Sequence, residues 1–167
     1  MEQKAIVQLP GGGFGVKCVI LRKLLAGEVL IKTVAVALNP TDYKSPKRFP
    51  SPGAIAGCDF AGTVVALGDA TRRDEQPLCL GDRVCGPIHG SNPTDHTSGA
   101  FSQYIYTTVD LVLKIPDSVS WEEGAAIGGT GHGSLCLALW EYLNIPGRPE
   151  APAAEPEMIL VYACSVL

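Results

Sequence analysis

The sequence lacks the features that mark membrane-spanning, secreted and nucleic-acid-binding proteins, and it lacks the cysteine spacing of a zinc or redox site. No apolar run approaches the roughly 20 residues that a membrane-spanning helix needs, and the start at Met1 leads into an apolar strand without a signal-peptide core. The net charge is −4, and lysine and arginine do not cluster, so nothing favours nucleic acid. None of the six cysteines lies in a Cys-x-x-Cys motif. These absences predict a cytoplasmic protein with free thiols that binds neither membranes nor nucleic acid.

Glycine and proline, by contrast, are abundant, with 19 and 13 residues among 167, and they favour many turns between short strands. Hydrophobic residues make up 46% of the chain and charged residues 18%, which is typical of a globular protein. Apolar segments at fairly even spacing predict strands at residues 4–9, 16–21, 28–38, 60–67, 84–85, 99–106 and 111–116. The predicted fold class is mainly β with some helix, arranged as a small, partly open β-barrel.

The pattern changes after residue 116. Ser120 and Glu123 have the Ser-x-x-Glu spacing of a helix start, and residues 134–143 predict a second, largely buried helix. Residues 146–156 are rich in proline, alanine and glutamate, and the apolar run at 157–163 is typical of a strand in a parallel sheet. The sequence therefore predicts a β-rich domain at 1–116, a helical connection and linker at 117–156, and the first strand of a further domain at 157–167.

The rest of the chain is organised around the stretch 39–62. Pro40 fixes its own backbone and pushes Asn39 into an extended conformation, so the preceding strand should stop there. We expect Asp42 and Lys44 to project from a short, irregular segment. The glycines of the stretch should turn sharply or pack closely against a neighbouring strand.

Two motifs in this stretch resemble those of a known superfamily. Asn39-Pro40-Thr41-Asp42-Tyr43-Lys44, followed by Gly57-Cys58-Asp59-Phe60-Ala61-Gly62, resembles the medium-chain dehydrogenase/reductase superfamily. The chain is most similar to the zinc-independent enoyl reductases that fungi use in trans with polyketide synthases. The resemblance implies a GroES-like, partly open β-barrel followed by the start of a Rossmann-type α/β domain at 157–167. It also implies that the nucleotide-binding half is truncated and that the fragment is inactive.

The resemblance further implies an NADPH-dependent reduction of an α,β-unsaturated polyketide thioester in secondary metabolism. The partners would be a small acyl substrate and a polyketide synthase or its acyl carrier domain, and the reductase would be a monomer. Lys44 and Thr130 would be catalytic and orient the polar end of the substrate. The implied cofactor-binding residues are Thr41, Asp42, Tyr43, Lys44, Cys164 and Ser165. The implied substrate-lining residues are Gly131, His132, Gly133, Ser134, Leu135, Cys136, Leu137 and Ala138.

The residues alone leave other interpretations open. Lys44 by its spacing is typical of a solvated loop lysine, and Thr130 or Ser134 would serve equally well as a helix N-cap. A quinone or alcohol oxidoreductase of the same superfamily would carry similar motifs. A GroES-like domain without its partner would instead be a non-catalytic binding module.

No metal is expected. Where zinc-dependent members of the superfamily have a Gly-His-Glu element, this chain has Gly57-Cys58-Asp59, and a cysteine-rich zinc-binding lobe is missing. The spacing of the remaining candidate ligands does not require a metal site. These candidates are Cys58, Asp59, Cys85, His89, His96 and His132.

Overall fold

The computed structural model describes residues 2–69, 77–156 and 158–160, and the chain divides into two compact units, 1–130 and 131–167. The strands described in the first unit are β1 (Glu2–Gln8), β2 (Phe14–Ile20), β3 (Glu28–Ala37), β4 (Asp59–Leu67), β5 (Arg83–Pro87), β6 (Tyr104–Thr108) and β7 (Leu113–Lys114). The helical segments are α1 (Pro40–Arg48), a 3₁₀ turn (Val109–Leu111), α2 (Trp121–Ile127), α3 (Thr130–Cys136) and a π-helical turn (Leu137–Tyr142).

The strands form two antiparallel sheets. β1 and β2 make a hairpin whose pairing runs from Glu2 opposite Ile20 to Gln8 opposite Phe14. The other five strands lie in the order β6-β3-β4-β5-β7, and every adjacent pair is antiparallel. Among the described strands, β6 and β7 stand at opposite edges of this sheet and do not pair with each other. The prediction of a mainly β, partly open fold is confirmed.

Alternation along β3 places one of its faces in the core. Val29 and Ile31 are fully buried, whereas Lys32 is exposed. Phe60 and Val64 of the neighbouring β4 belong to the same buried cluster. Because successive strand residues point to opposite faces, the inward face of β3 follows from the alternation in its sequence.

Two predicted strands are shorter than expected. The strand predicted at 99–106 begins only at Tyr104, because the backbone before it bonds elsewhere. The Phe101 N–H donates to the Ala56 carbonyl (2.8 Å), and the Phe101 carbonyl accepts from the Ile6 N–H (2.8 Å). The strand predicted at 111–116 is reduced to β7, since the 3₁₀ turn occupies the preceding residues.

Glutamine side chains connect the hairpin to the five-stranded sheet. The Tyr104 N–H donates to Gln3 Oε1 (2.7 Å), and the Lys4 N–H donates to Gln103 Oε1 (2.8 Å). Gln3 is buried, and its side-chain oxygen accepts the Tyr104 N–H in place of the backbone carbonyl that a paired strand would offer. These bonds join residues 101 and 99 positions apart in the chain.

α2 begins where the sequence predicts. The Glu123 N–H donates to Ser120 Oγ (3.1 Å), and the Ser120 N–H donates to Glu123 Oε2 (2.9 Å). The Ser120 hydroxyl also donates to Glu123 Oε2 (2.9 Å), and the two bonds that this carboxylate accepts stabilise its ionised form and lower the pKa of Glu123. Ala125 of α2 is buried against Ala61 and Cys85 of the sheet, which fixes the path of the chain just before Thr130.

The helical part of the second unit is more exposed than expected. None of the residues of α3 or of the π-helical turn is buried, and Leu135 and Leu137 are each 54% exposed. The prediction of a largely buried helix at 134–143 is therefore wrong. The apolar run is helical, but the described part of its unit offers no core for it to pack into.

The strand predicted at 157–163 falls mostly outside the described residues. Residues 158–160 are not in a strand, and 157 and 161–167, including Cys164 and Ser165, lie outside the described part of the chain. The Rossmann-type start and the domain boundaries after 116 and 156 stay predictions. No described helix is both long enough and apolar enough to cross a lipid bilayer.

Candidate functional site

The motif around Pro40 forms a helix rather than an irregular turn. Asn39 is extended, with φ −120° and ψ 151°, as predicted, and Pro40 lies in the first turn of α1, where its missing N–H is no loss. The Asn39 N–H donates to Asp42 Oδ2 (2.7 Å). The prediction that Asp42 and Lys44 project from an irregular segment is wrong, because asparagine, proline and a nearby acidic residue together start a helix.

α1 places the predicted cofactor-binding residues in different environments. Asp42 is 7% exposed, whereas Tyr43 is 44% exposed and Lys44 is also exposed. Lys44 Nζ lies 5.8 Å from the centroid of the Tyr43 ring. Thr41 is half-buried, and its hydroxyl shares a hydrogen bond of 2.8 Å with the hydroxyl of Ser45. Tyr43 and Lys44 can therefore reach a ligand, while Asp42 holds the start of the helix.

A buried carboxylate joins the start of α1 to the start of α3. Asp59, the first residue of β4, is 1% exposed. Its Oδ2 accepts from Asn39 Nδ2 (2.7 Å), and its Oδ1 accepts from the backbone N–H of Thr130 (2.9 Å). The sequence indicates Asp59 only as a possible metal ligand. The signal that marks it is an acidic residue at the opening of an otherwise apolar strand.

Glycines bring the segment before Thr130 close to the sheet. A Cβ at Gly129 would overlap with the ring of Pro87, at the end of β5. α3 then begins at Thr130, so both candidates for the helix N-cap, Thr130 and Ser134, lie within the helix. The path of the backbone into Thr130 is thus set by close packing as well as by the bond to Asp59.

The predicted substrate-lining residues lie in the second unit. Gly131–Cys136 belong to α3, and Leu137 and Ala138 begin the π-helical turn. His132 and Cys136 are one turn apart, with 3.5 Å between Nε2 and Sγ. The contact of this segment with an acyl chain stays a prediction.

The thiol of Cys58 lines a cavity of ≈ 310 Å³, together with Asp42 of α1 and His89 after β5. Burial raises the pKa of Cys58, and the Asp42 carboxylate raises it further, to about 12. The thiol is therefore protonated at neutral pH. Across residues 2–69, 77–156 and 158–160, no three His, Cys, Asp or Glu side chains are arranged to hold a metal ion.

Alkylation of Cys58 is expected to be slow and to depend steeply on pH. A shift of its pKa from 9.0 to about 12 lowers the thiolate fraction roughly 1000-fold below pH 9. With iodoacetamide and folded protein, the rate at Cys58 should rise about tenfold per pH unit from neutral pH up to about pH 11. Peptide mass spectrometry measures this rate beside that of Cys18, which is exposed. Equal rates at the two cysteines at mildly alkaline pH would contradict the prediction.

Comparison with known proteins identifies the family. The family model of the alcohol dehydrogenase GroES-like domain matches residues 25–117, which is more than half of the chain. The chain belongs to this family.

Curated relatives of this GroES-like chain are named as enoyl reductases. A trans-enoyl reductase of Aspergillus clavatus is 52% identical over 138 residues, covering 83% of this chain and 38% of the relative. A trans-enoyl reductase of Penicillium oxalicum is 50% identical over 138 residues, covering 82% and 36%. An enoyl reductase of Chaetomium globosum is 43% identical over 165 residues, covering 98% and 44%. The GroES-like chain thus spans less than half the length of these relatives.

Solved structures share the GroES-like fold. The human synaptic vesicle membrane protein VAT-1 homolog-like protein is 26% identical, with a TM-score of 0.72 over 87% of this chain and 45% of that one. A quinone oxidoreductase of Pseudomonas syringae is 27% identical, with a TM-score of 0.68 over 87% and 43%. The predicted resemblance to medium-chain dehydrogenase/reductases, and among them to fungal trans-acting enoyl reductases, is confirmed.

Proposed function

We propose that this GroES-like chain forms the substrate side of an NADPH-dependent enoyl reductase that acts in trans on an α,β-unsaturated polyketide thioester. The observation that carries the proposal is that α1, which bears Lys44, and the start of α3, at Thr130, converge on Asp59. The names of relatives at 43–52% identity supply the reaction. The partner would be a polyketide synthase or its acyl carrier domain, met in the cytoplasm by a monomeric reductase.

Lys44 fits a role in holding NADPH, which supplies a hydride when bound. Its ammonium group is exposed, with the Tyr43 ring 5.8 Å away, and such a cation can pair with a phosphate. The Asp42 carboxylate does not fit direct contact with the cofactor, because it is buried and accepts the Asn39 N–H. Its contribution would be to keep the exposed residues of α1 in place.

The chemistry required of the chain itself is electrostatic. Reduction at the β-carbon of an enoyl thioester leaves negative charge on the thioester oxygen until a proton reaches the α-carbon. A Lys44 ammonium that is not paired with a phosphate of NADPH would stabilise this oxygen. The Thr130 hydroxyl would donate a hydrogen bond to the same oxygen. The bond from the Thr130 backbone to Asp59 gives that hydroxyl a defined starting position.

A fusion enzyme tests the proposal. Residues 1–167 are joined to the part of the Chaetomium globosum relative that follows its matched region, which covers 98% of this chain. NADPH oxidation is followed with a crotonyl thioester and with a quinone. We expect turnover of the thioester in preference to the quinone. Lys44→Ala should lower kcat/KM about tenfold, as expected for the loss of one charge-assisted contact.

The matched control is Lys47→Ala, which removes another exposed lysine of the same helix and should change kcat/KM by less than about twofold. Equal losses in the two variants would contradict the role of Lys44. Preference for the quinone would indicate a quinone oxidoreductase, and a folded fusion that binds no NADPH would indicate a non-catalytic module. Either result would overturn the proposed function.

A further inference from the structure

Asp59 is the most deeply buried charged residue in the described part of the chain. Its exposed fraction is 1%, against 7% for the next, Asp42. Both of its hydrogen-bond donors are neutral, one a side-chain amide on Asn39 and the other the backbone N–H of Thr130. Burying a carboxylate whose hydrogen-bond donors include no cation costs desolvation free energy. Such a residue is therefore expected to have a specific role.

The two donors explain why the residue is a carboxylate. An asparagine would fill the same space, but its side chain offers only one acceptor oxygen and presents an NH₂ group at the other position. That group would face the NH₂ group of Asn39. Only a carboxylate accepts on both sides, so Asp59 can hold Asn39 and Thr130 at the same time.

Strand pairing fixes the backbone of Asp59 on both sides. In the pairing of β4 with its neighbours, Asp59 stands opposite Ala37 at the end of β3 and opposite Pro87 at the end of β5. β3 leads directly into Asn39 and α1, and the Pro87 ring is the group against which Gly129 packs. The carboxylate therefore stands between the two paths that lead to α1 and to α3.

We propose that Asp59 is a positioning residue, which sets the placement of Thr130 relative to the helix that carries Lys44. This inference rests on the proposed function, and it assigns Asp59 no contact with substrate or cofactor. Asp59 acts through its two hydrogen bonds, so an arrangement that restores both bonds with other atoms should restore the rate of the reaction.

Exchanging the donor and the acceptor tests this inference in the fusion enzyme. Asp59→Asn opposes two NH₂ groups and is expected to lower kcat about tenfold or more, with KM for NADPH changed less than about twofold. In the double variant Asn39→Asp/Asp59→Asn, the new amide donates to the new carboxylate and its oxygen accepts the Thr130 N–H. Aspartate also starts helices as well as asparagine does. The double variant should recover kcat to within about threefold of the parent.

A second measurement uses the 167-residue chain alone, without any assay of activity. Amide hydrogen exchange by NMR should show the Thr130 N–H exchanging faster in Asp59→Asn and protected again in the double variant. This result stands even where the fusion reduces no enoyl thioester, so failure of the inference is distinguishable from failure of the proposed function.

Three results would overturn the inference. Asp59→Asn could keep the parental kcat, or the double variant could regain the Thr130 protection and yet stay as slow as the single variant. In the latter case the negative charge, rather than positioning, would be what the reaction needs. If Asp59→Asn does not fold, the double variant decides: a folded, active double variant supports positioning, and one that is unfolded or slow overturns it.

Discussion

Replacing Phe60 with alanine is expected to lower the free energy of unfolding by about 3–5 kcal/mol. Phe60 is fully buried on β4, the central strand of the five-stranded sheet, within the same cluster as Val29, Ile31 and Val84. The cost combines the lost burial of the ring with the cavity it leaves. The cavity should persist, because β4 is hydrogen-bonded to a neighbour on each side and cannot move inward to fill it. Urea denaturation of the chain measures the change.

Phe49→Ala is the control for this prediction. Phe49 follows the last residue of α1 and is 65% exposed, so its loss should cost less than about 1 kcal/mol. A cost at Phe60 no greater than the cost at Phe49 would mean that the five-stranded sheet does not pack around this ring.

Gly62→Ala should destabilise the chain by about 2–3 kcal/mol, although it adds a single methyl group. A Cβ at this position would overlap with the backbone carbonyl oxygen of Lys32 on the paired strand β3, and it would lie 2.7 Å from Cγ2 of Ile31. A side chain could rotate away from the methyl group, but a backbone carbonyl held in a ladder cannot. β3 and β4 would have to separate locally, and thermal denaturation would register the loss.

Gly133→Ala separates the effect of crowding from the general effect of adding a methyl group. A Cβ at Gly133, inside α3, would meet nothing within 4 Å. Alanine favours a helix over glycine, so this variant should be unchanged or gain up to about 1 kcal/mol. If Gly62→Ala were as stable as Gly133→Ala, close approach of the two strands could not be the reason for the glycine.

The strands and one helix start could be predicted from the sequence because their signals are local. Alternation at Val29 and Ile31 defines the inward face of β3, and Ser120 with Glu123 defines the start of α2. α1 has no comparable apolar pattern and contains Pro46, so its residues resemble a loop. Its start depends on a cap formed by Asn39 and Asp42, and the amino-acid composition of the segment does not reveal this cap.

The candidate site was harder to predict because its members are distant in sequence. The bond between Thr130 and Asp59 spans 71 residues, and the sequence around either residue does not indicate that the other is its partner. The helix predicted as buried at 134–143 shows the reverse difficulty. An apolar run indicates that a segment favours burial, but it does not say which other part of a protein supplies the covering surface.

The glutamine bonds between hairpin and sheet have a consequence for biosynthesis. The Lys4 N–H bonds to the side chain of Gln103, and the side chain of Gln3 bonds to the Tyr104 N–H. Both partners are translated about a hundred residues later. At about 5–20 residues per second, the ribosome needs roughly 5–20 s to supply them. A lone hairpin is marginally stable in water. The end of the hairpin that carries Gln3 and Lys4 should therefore remain accessible to chaperones and proteases throughout that interval, although Ile6 and Gln8 find backbone partners at Ala56 and Ala54 earlier.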